Sequence, residues 1–236
     1  MLVVTPLART ARKTFFEAKT SGKMLMFKGP AGTGKTETFN DTCRELGVKA
    51  CISSFSEGAT SAEDVKKFLA SGKYVCIDSV ESMAPDVVSA LPGLVKESGS
   101  FVCVSCNAET LKGSEGWADA CVVLDFTLPP LAPIWDALLS CEGFVGSEKL
   151  GDKLAACLEA VKASEFFKKD EKDKNLVRFA NSMVQAMGQA ARVTGYDDED
   201  KIVGQQAFKS MLSIMEEAGK DSLKGLVKEH LGVEAA

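Results

Sequence analysis

An α/β fold is predicted for this chain: a five-stranded parallel sheet flanked by helices, followed by an all-helical subdomain. Three observations carry the prediction. Five short apolar runs alternate with helix-like stretches through the first half of the sequence, the pattern of a parallel sheet wound with helices on both faces. The first of the core runs leads into Gly29-Pro30-Ala31-Gly32-Thr33-Gly34-Lys35-Thr36, which fits the P-loop pattern G-x-x-x-x-G-K-[ST]. The segment Leu128-Pro129-Pro130-Leu131-Ala132-Pro133 is the sharpest break in composition, and no strand-like run follows it.

Taken in order, Leu2 to Leu7 reads as a short extended segment ended by Pro6, and Ala8 to Thr20 as an amphipathic helix with Phe15 and Phe16 turned inward. Lys23 to Lys28 is the first core strand, and Thr36 to Leu46 a helix ended at Gly47. Lys49 to Ser53 is a second strand. Ser61 caps a helix to Leu69, with Glu63 and Asp64 in its first turn. Tyr74 to Asp78 reads as a buried strand ending in a carboxylate. Pro85 to Glu97 is helical with a kink expected at Pro92, and Phe101 to Ser105 and Cys121 to Leu124 complete the sheet. From Ile134 the pattern is helical: Ile134 to Cys141, Glu148 to Phe167, Asn175 to Thr194, Lys201 to Ala218 and Ser222 to Leu231. The expected division is therefore residues 1–128 as an α/β nucleotide-binding subdomain and 129–236 as a helical lid.

The P-loop has a specific chemistry. Its glycines let backbone N–H groups converge on phosphate oxygens, Lys35 brings a positive charge to the β and γ phosphates, and Thr36 offers a hydroxyl to magnesium. The helix that follows adds its positive N-terminal end. Gly29, Pro30, Ala31, Gly32, Thr33, Gly34, Lys35, Thr36 and the adjoining Glu37 are the expected nucleotide-binding residues, with ATP or ADP and Mg2+ as ligands.

A P-loop ATPase also needs an aspartate at the end of a neighbouring strand to hold the magnesium shell, a role that Asp78 fits, acting through water. Thr36 and Asp78 are thus the expected metal residues. A carboxylate that polarises the attacking water is needed as well. Ser79 follows Asp78, and a hydroxyl is no base near neutral pH. Glu81, two positions further, is a candidate only if the turn after the strand is unusual.

Composition narrows the class. A hydrophobic content of 45% with 26% charged residues is that of a soluble globular protein. The net charge of −5, with acidic and basic residues interspersed, argues against a general nucleic-acid surface. No apolar run approaches bilayer-spanning length, and the apolar N-terminus is too short for a signal peptide, so a cytoplasmic, reducing compartment is expected. The eight cysteines lie mostly within apolar segments. Cys103 and Cys106 form one C-x-x-C with no second pair, and the single histidine, His230, is remote in sequence, so core packing is favoured over zinc or redox chemistry.

Several strings resemble the first AAA+ module of dynein heavy chains. They are Val3-Val4-Thr5-Pro6-Leu7, the P-loop continuing through Glu37-Thr38, Ser56-Glu57-Gly58, and Ser71-Gly72-Lys73-Tyr74-Val75-Cys76-Ile77-Asp78. Further matches are Ser140-Cys141-Glu142-Gly143-Phe144, Leu176-Val177-Arg178, the acidic Asp197 to Asp200 and the closing stretch Gly225 to Glu234. The P-loop is shared by many families, whereas the Val-Thr-Pro-Leu and Glu-Gly-Phe segments are more particular to dyneins. The resemblance implies an AAA+ P-loop NTPase fold, with Val4, Thr5, Pro6 and Leu7 lining the adenine pocket. It also implies Arg178 as a sensor arginine from the helical lid, and Asn107 or Ser105 as the polar sensor on the fourth strand.

The departures from that pattern bear on function. Dyneins have Asp-Glu where this chain has Asp78-Ser79, and the arginine finger such a module offers its neighbour falls near Ala120, where no arginine occurs. There is no room between Pro85 and Phe101 for the β-hairpin insertions that touch a dynein linker. The chain as given carries no linker, further ring module or microtubule-binding element. Loss of a general base lowers rates about 10²- to 10⁴-fold and loss of an arginine finger about 10³- to 10⁵-fold. The resulting expectation is a nucleotide-holding module, poor in hydrolysis, with a structural or regulatory role. The alternative is an active ATPase subunit of a split or fragmentary dynein motor in microtubule-based movement. Other AAA+ or dynein-like chains are the expected partners, with no nucleic acid or membrane, and the expected place is cytoplasmic with cytoskeletal or axonemal association. A small-molecule kinase fits poorly, because only Arg178 and Arg192 lie beyond the proline-rich junction.

Overall fold

A computed structural model describes residues 5–56, 61–107, 109, 111–128, 130–168 and 176–234. The chain divides into two compact units, Met1–Pro129 and Pro130–Ala236.

In the first unit the elements run α1 (Pro6–Thr20), β1 (Met24–Lys28), α2 (Lys35–Glu45), β2 (Ala50–Ser54), α3 (Ala62–Leu69), β3 (Tyr74–Asp78), α4 (Pro85–Ser98), β4 (Phe101–Cys106) and β5 (Cys121–Asp125). All strand pairs are parallel, in the order β2-β3-β4-β1-β5. Each strand alternates its side chains between two apolar layers. Leu25 and Phe27 of β1, Cys76 of β3 and Cys103 of β4 join Ala11, Phe15 and Ala18 of α1 and Phe39 and Cys43 of α2. Met24, Met26, Val75, Ile77, Val102 and Val104 face the other way, against Val65 and Leu69 of α3 and Val87, Val88 and Leu91 of α4.

Two readings of the N-terminal segment are corrected. Pro6 and Leu7 belong to the first turn of α1 rather than to an extended segment. Thr5 is the N-cap, its hydroxyl accepting from the Ala8 amide at 3.1 Å, and Pro6 follows where a missing N–H costs nothing. Phe16 is 46% exposed while Phe15 is fully buried. Consecutive helical positions point about 100° apart, so the buried stripe takes Ala11, Phe15 and Ala18 and leaves Phe16 outside.

Helix α4 continues through Pro92. Proline has no N–H to donate to the carbonyl four residues back, here that of Val88. That carbonyl instead accepts from the indole nitrogen of Trp117 at 3.2 Å, so a side chain from the β4–β5 connection repairs the helix.

The second unit is helical: α5 (Leu131–Glu142), α6 (Ser147–Ala163), α7 (Leu176–Thr194), α8 (Glu199–Met211) and α9 (Lys220–Leu231). Its core is built on the fully buried Trp135, Leu139, Leu154, Leu158 and Met187. The expected single helix from Lys201 to Ala218 is interrupted after Met211 by two 3₁₀ turns. The reason is a competing backbone pairing: Lys168 donates to the Ile214 carbonyl at 3.1 Å and Glu216 donates to the Phe166 carbonyl at 2.8 Å. The same pairing ends α6 at Ala163, short of the expected Phe167.

Candidate functional site

The P-loop links β1 to α2, with Gly29, Gly32 and Gly34 all in backbone conformations of positive φ. Gly29 is obligatory on space as well. A Cβ built there would stand 2.0 Å from the carbonyl oxygen of Phe126, because the chain leaving β5 runs against the start of the loop. Gly34, at φ 88, is the N-cap residue of α2 and has no side chain to cap it. Open N–H groups at a helix N-terminus are a ready anion site.

Lys35 is buried, and its ammonium donates to the carbonyls of Gly29 at 2.7 Å and Pro30 at 2.6 Å. Burial holds its pKa below the ordinary lysine value, and the carboxylates of Glu81 and Asp78 offset part of that effect. Thr33 is buried and donates its hydroxyl to the Pro30 carbonyl at 3.0 Å, while Pro30, Ala31 and Glu37 are exposed.

Thr36 and Asp78 meet across the gap between α2 and β3, the threonine hydroxyl donating to Asp78 Oδ1 at 2.6 Å. Ser105, at the end of the adjacent strand β4, donates to the same oxygen and accepts from the Ser79 amide at 3.0 Å. A hydroxyl beside an oriented carboxylate is the donor set a hard, oxygen-seeking cation such as Mg2+ takes when phosphate oxygens complete its shell. The loop's glycine-lined space and the buried ammonium suit the phosphates. Among the described residues no group of three or more His, Cys, Asp or Glu side chains gathers to hold a metal.

The turn after β3 is unusual. Ser79 has φ 56 and ψ 55, the only positive φ among the described non-glycine residues. A 3₁₀ turn, Val80–Ser82, follows with Val80 fully buried. The Glu81 carboxylate is thereby brought to Asn107, accepting from its side-chain amide at 2.6 Å and from its backbone N–H at 3.2 Å. The Asn107 side-chain nitrogen also lies 3.1 Å from Ser79 Oγ.

The two residues weighed as fourth-strand sensors thus do different things: Ser105 serves Asp78, and Asn107 serves Glu81. The Asn107–Glu81 pairing had no signal in the spacing of either residue alone. Of the segment expected to line an adenine pocket, Thr5 caps α1, Pro6 is exposed and Leu7 packs partly against the α1-side core, while Val4 lies outside the described residues. Arg178 is exposed in the first turn of α7, in the second unit. The buried thiols are core residues, Cys43, Cys76, Cys103, Cys106 and Cys121 beside the sheet and Cys157 in the helical unit. Burial raises those of Cys43 to about 11, Cys121 to about 12 and Cys157 to about 11, which suits packing rather than reactivity. No described helix is long and apolar enough to cross a membrane.

Comparison with known proteins bears on the family and the fold. Residues 1–112 match the family described as the hydrolytic ATP binding site of the dynein motor region. The chain is 24% identical over 253 aligned residues, 91% of its length, to the dynein-1-beta heavy chain of the flagellar inner arm I1 complex of Chlamydomonas reinhardtii. It is 34% identical over 91 residues, 37% of its length, to the dynein alpha chain of the flagellar outer arm of the same organism. It spans only 5% and 2% of those relatives. Among solved structures, a Thermotoga maritima RuvB A156S mutant superposes with TM-score 0.62 at 15% identity, covering 90% of this chain and 70% of that one. The RuvB Holliday junction branch migration motor superposes with TM-score 0.57 at 17% identity, covering 97% and 81%. Identities this low speak to the fold, which is that of an AAA+ P-loop NTPase.

Proposed function

Starting from a chain that is a dynein-like AAA+ ATP-binding module, we propose that it holds Mg2+ with ATP or ADP, hydrolyses slowly, and acts as a structural or regulatory part of a dynein-like assembly. The single observation that carries the reading is the meeting of Thr36 with Asp78 beside a buried Lys35. That trio supplies the charge and the oxygen ligands that a magnesium-bound triphosphate requires.

In this reading Gly29 to Thr36 wrap the phosphates and Val4 to Leu7 border the adenine, while Arg178 keeps the sensor role that the dynein resemblance implies. Magnesium, when bound, neutralises the phosphate oxygens and polarises the γ phosphorus. Slow turnover is expected from the lack of an arginine near Ala120, with no carboxylate directly after Asp78. Other AAA+ or dynein-like chains are the proposed partners, and the flagellar relatives make an axonemal setting the first to examine. Neither direct microtubule contact nor nucleic-acid binding is part of the proposal.

A second reading, an ATPase subunit of a split motor, is favoured by one observation: the turn after β3 fixes a second carboxylate, Glu81, against Asn107. The deciding experiment is to identify the nucleotide retained through purification and then follow phosphate release with Mg2+, alone and with dynein-like chains. Retained nucleotide with slow release in both conditions supports the first reading. A rate raised at least a hundredfold by a partner supports the second.

A further inference from the structure

The left-handed conformation of Ser79 is costly for a residue with a Cβ, and it has an evident structural result. It turns the chain sharply at the end of β3, so that the 3₁₀ turn buries Val80 and sends Glu81 to Asn107. Three contacts hold that turn in place. The Ser79 amide donates to Ser105 Oγ, and the Asn107 side-chain nitrogen meets both Ser79 Oγ and Glu81 Oε1. The Asn107 backbone N–H takes the other carboxylate oxygen, Oε2, at 3.2 Å. Both oxygens of Glu81 are therefore oriented by one residue. The carboxylate is partly accessible, and the contacts of Asn107 with Ser79, and of Ser79 with Ser105, tie it to Asp78.

We infer that Glu81 is the water-polarising carboxylate of this site, displaced three residues along the chain from Asp78, and that Asn107 is its positioning residue. The inference rests on the nucleotide-binding reading above and adds the group through which its slow hydrolysis runs. The water oxygen bonds to the γ phosphorus as the bond from that phosphorus to the β,γ-bridging oxygen breaks. ADP leaves with the bridging oxygen and its electron pair. The water's proton passes to a Glu81 oxygen and then to the released phosphate or to solvent, which restores the carboxylate.

Two measurements on the full chain test this: ATP and ADP affinities first, then single-turnover phosphate release. The variants are Glu81→Gln and Asn107→Ala, each with its melting temperature recorded. Wild type is expected to bind ATP and release phosphate slowly. Glu81→Gln is expected to lower the release rate at least a hundredfold. It should also raise the ratio of ATP to ADP affinity by about threefold to tenfold, because a negative charge beside the γ phosphate is gone. Asn107→Ala leaves the carboxylate unoriented, so it should lower the release rate at least tenfold while ATP and ADP affinities stay within about twofold of wild type, a split that general loss of structure would not give. Either an unchanged release rate in a folded Glu81→Gln or ATP binding by wild type with no release at all overturns the inference and leaves the binding reading standing. Failure of wild type to bind any nucleotide overturns both, and the affinity measurement made first tells the two failures apart.

Discussion

The hydroxyl of Thr36 donates to the carboxylate of Asp78 at 2.6 Å, joining the first turn of α2 to the end of β3 across 42 residues of sequence. Ser105 donates to the same oxygen from the next strand, so the carboxylate is oriented from two sides. Replacing Asp78 by Asn keeps the shape and removes the charge. Groups that orient a metal's ligands typically contribute 10- to 100-fold in affinity. The expected outcome is a loss of about that size in the Mg2+-dependent part of ATP binding, with binding measured in EDTA nearly unchanged. Paired ATP titrations with and without Mg2+ check it.

Lys35 gives a prediction in which stability and binding move in opposite directions. Its pKa is lowered first by burial, so the folded chain holds this proton less tightly than the unfolded chain does. The charged lysine therefore destabilises the fold fully below its lowered folded pKa. The penalty fades as pH rises toward the ordinary value of 10.5. Lys35→Met is expected to be more stable than wild type without nucleotide at pH 7, by about 1 kcal/mol. The gap should narrow at alkaline pH, and the variant should lose ATP binding. Urea unfolding at several pH values, with ATP affinity alongside, measures both.

The contact between Trp117 and the Val88 carbonyl predicts a specific weakness in the first unit. Trp117→Phe keeps most of the apolar packing but removes the donor that stands in for the N–H absent at Pro92. A buried carbonyl left without a partner costs about 1–3 kcal/mol. A loss in that range is expected from chemical denaturation. The double variant Trp117→Phe with Pro92→Ala should recover part of it, because the alanine N–H can then reach Val88.

Thiol chemistry offers an inexpensive check on the core. Cys141 is exposed and Cys51 half-buried, whereas Cys43, Cys76, Cys103, Cys106, Cys121 and Cys157 are buried. Burial also raises the pKa of several of the latter, Cys103 well above the usual range. Alkylation of the native chain near pH 8 should modify Cys141 first and Cys51 more slowly. The other six should react only in denaturant, as peptide mapping by mass spectrometry would reveal. Rapid native labelling of Cys76 or Cys103 would contradict the packing between the sheet and helices α1 and α2.

Much of the fold was legible because its signals are local. Short continuous apolar runs marked β1 and β3, and the glycine spacing before Lys35 marked the phosphate loop. Ser61, with acids in the following turn, marked the start of α3, where a capping box with Asp64 is present. Local signals also misled. Phe15 and Phe16 are equally apolar, yet only one can face the sheet. Pro6 opens a helix because Thr5 caps it. The run from Lys201 looked helical throughout, and only its pairing with residues 166–168 interrupts it.

By itself the sequence determined which residues can grip a phosphate chain, since that chemistry is written in eight consecutive positions and one strand-ending aspartate. The tertiary structure alone decided where Glu81 sits. Its partner Asn107 is 26 residues away and meets it only because β3 and β4 are neighbours in the sheet. The left-handed turn at Ser79 is held by contacts with Ser105 and Asn107, residues that no local pattern connects to it. Spacing records what a segment can become on its own, whereas the meeting of distant side chains depends on the order in which strands pack.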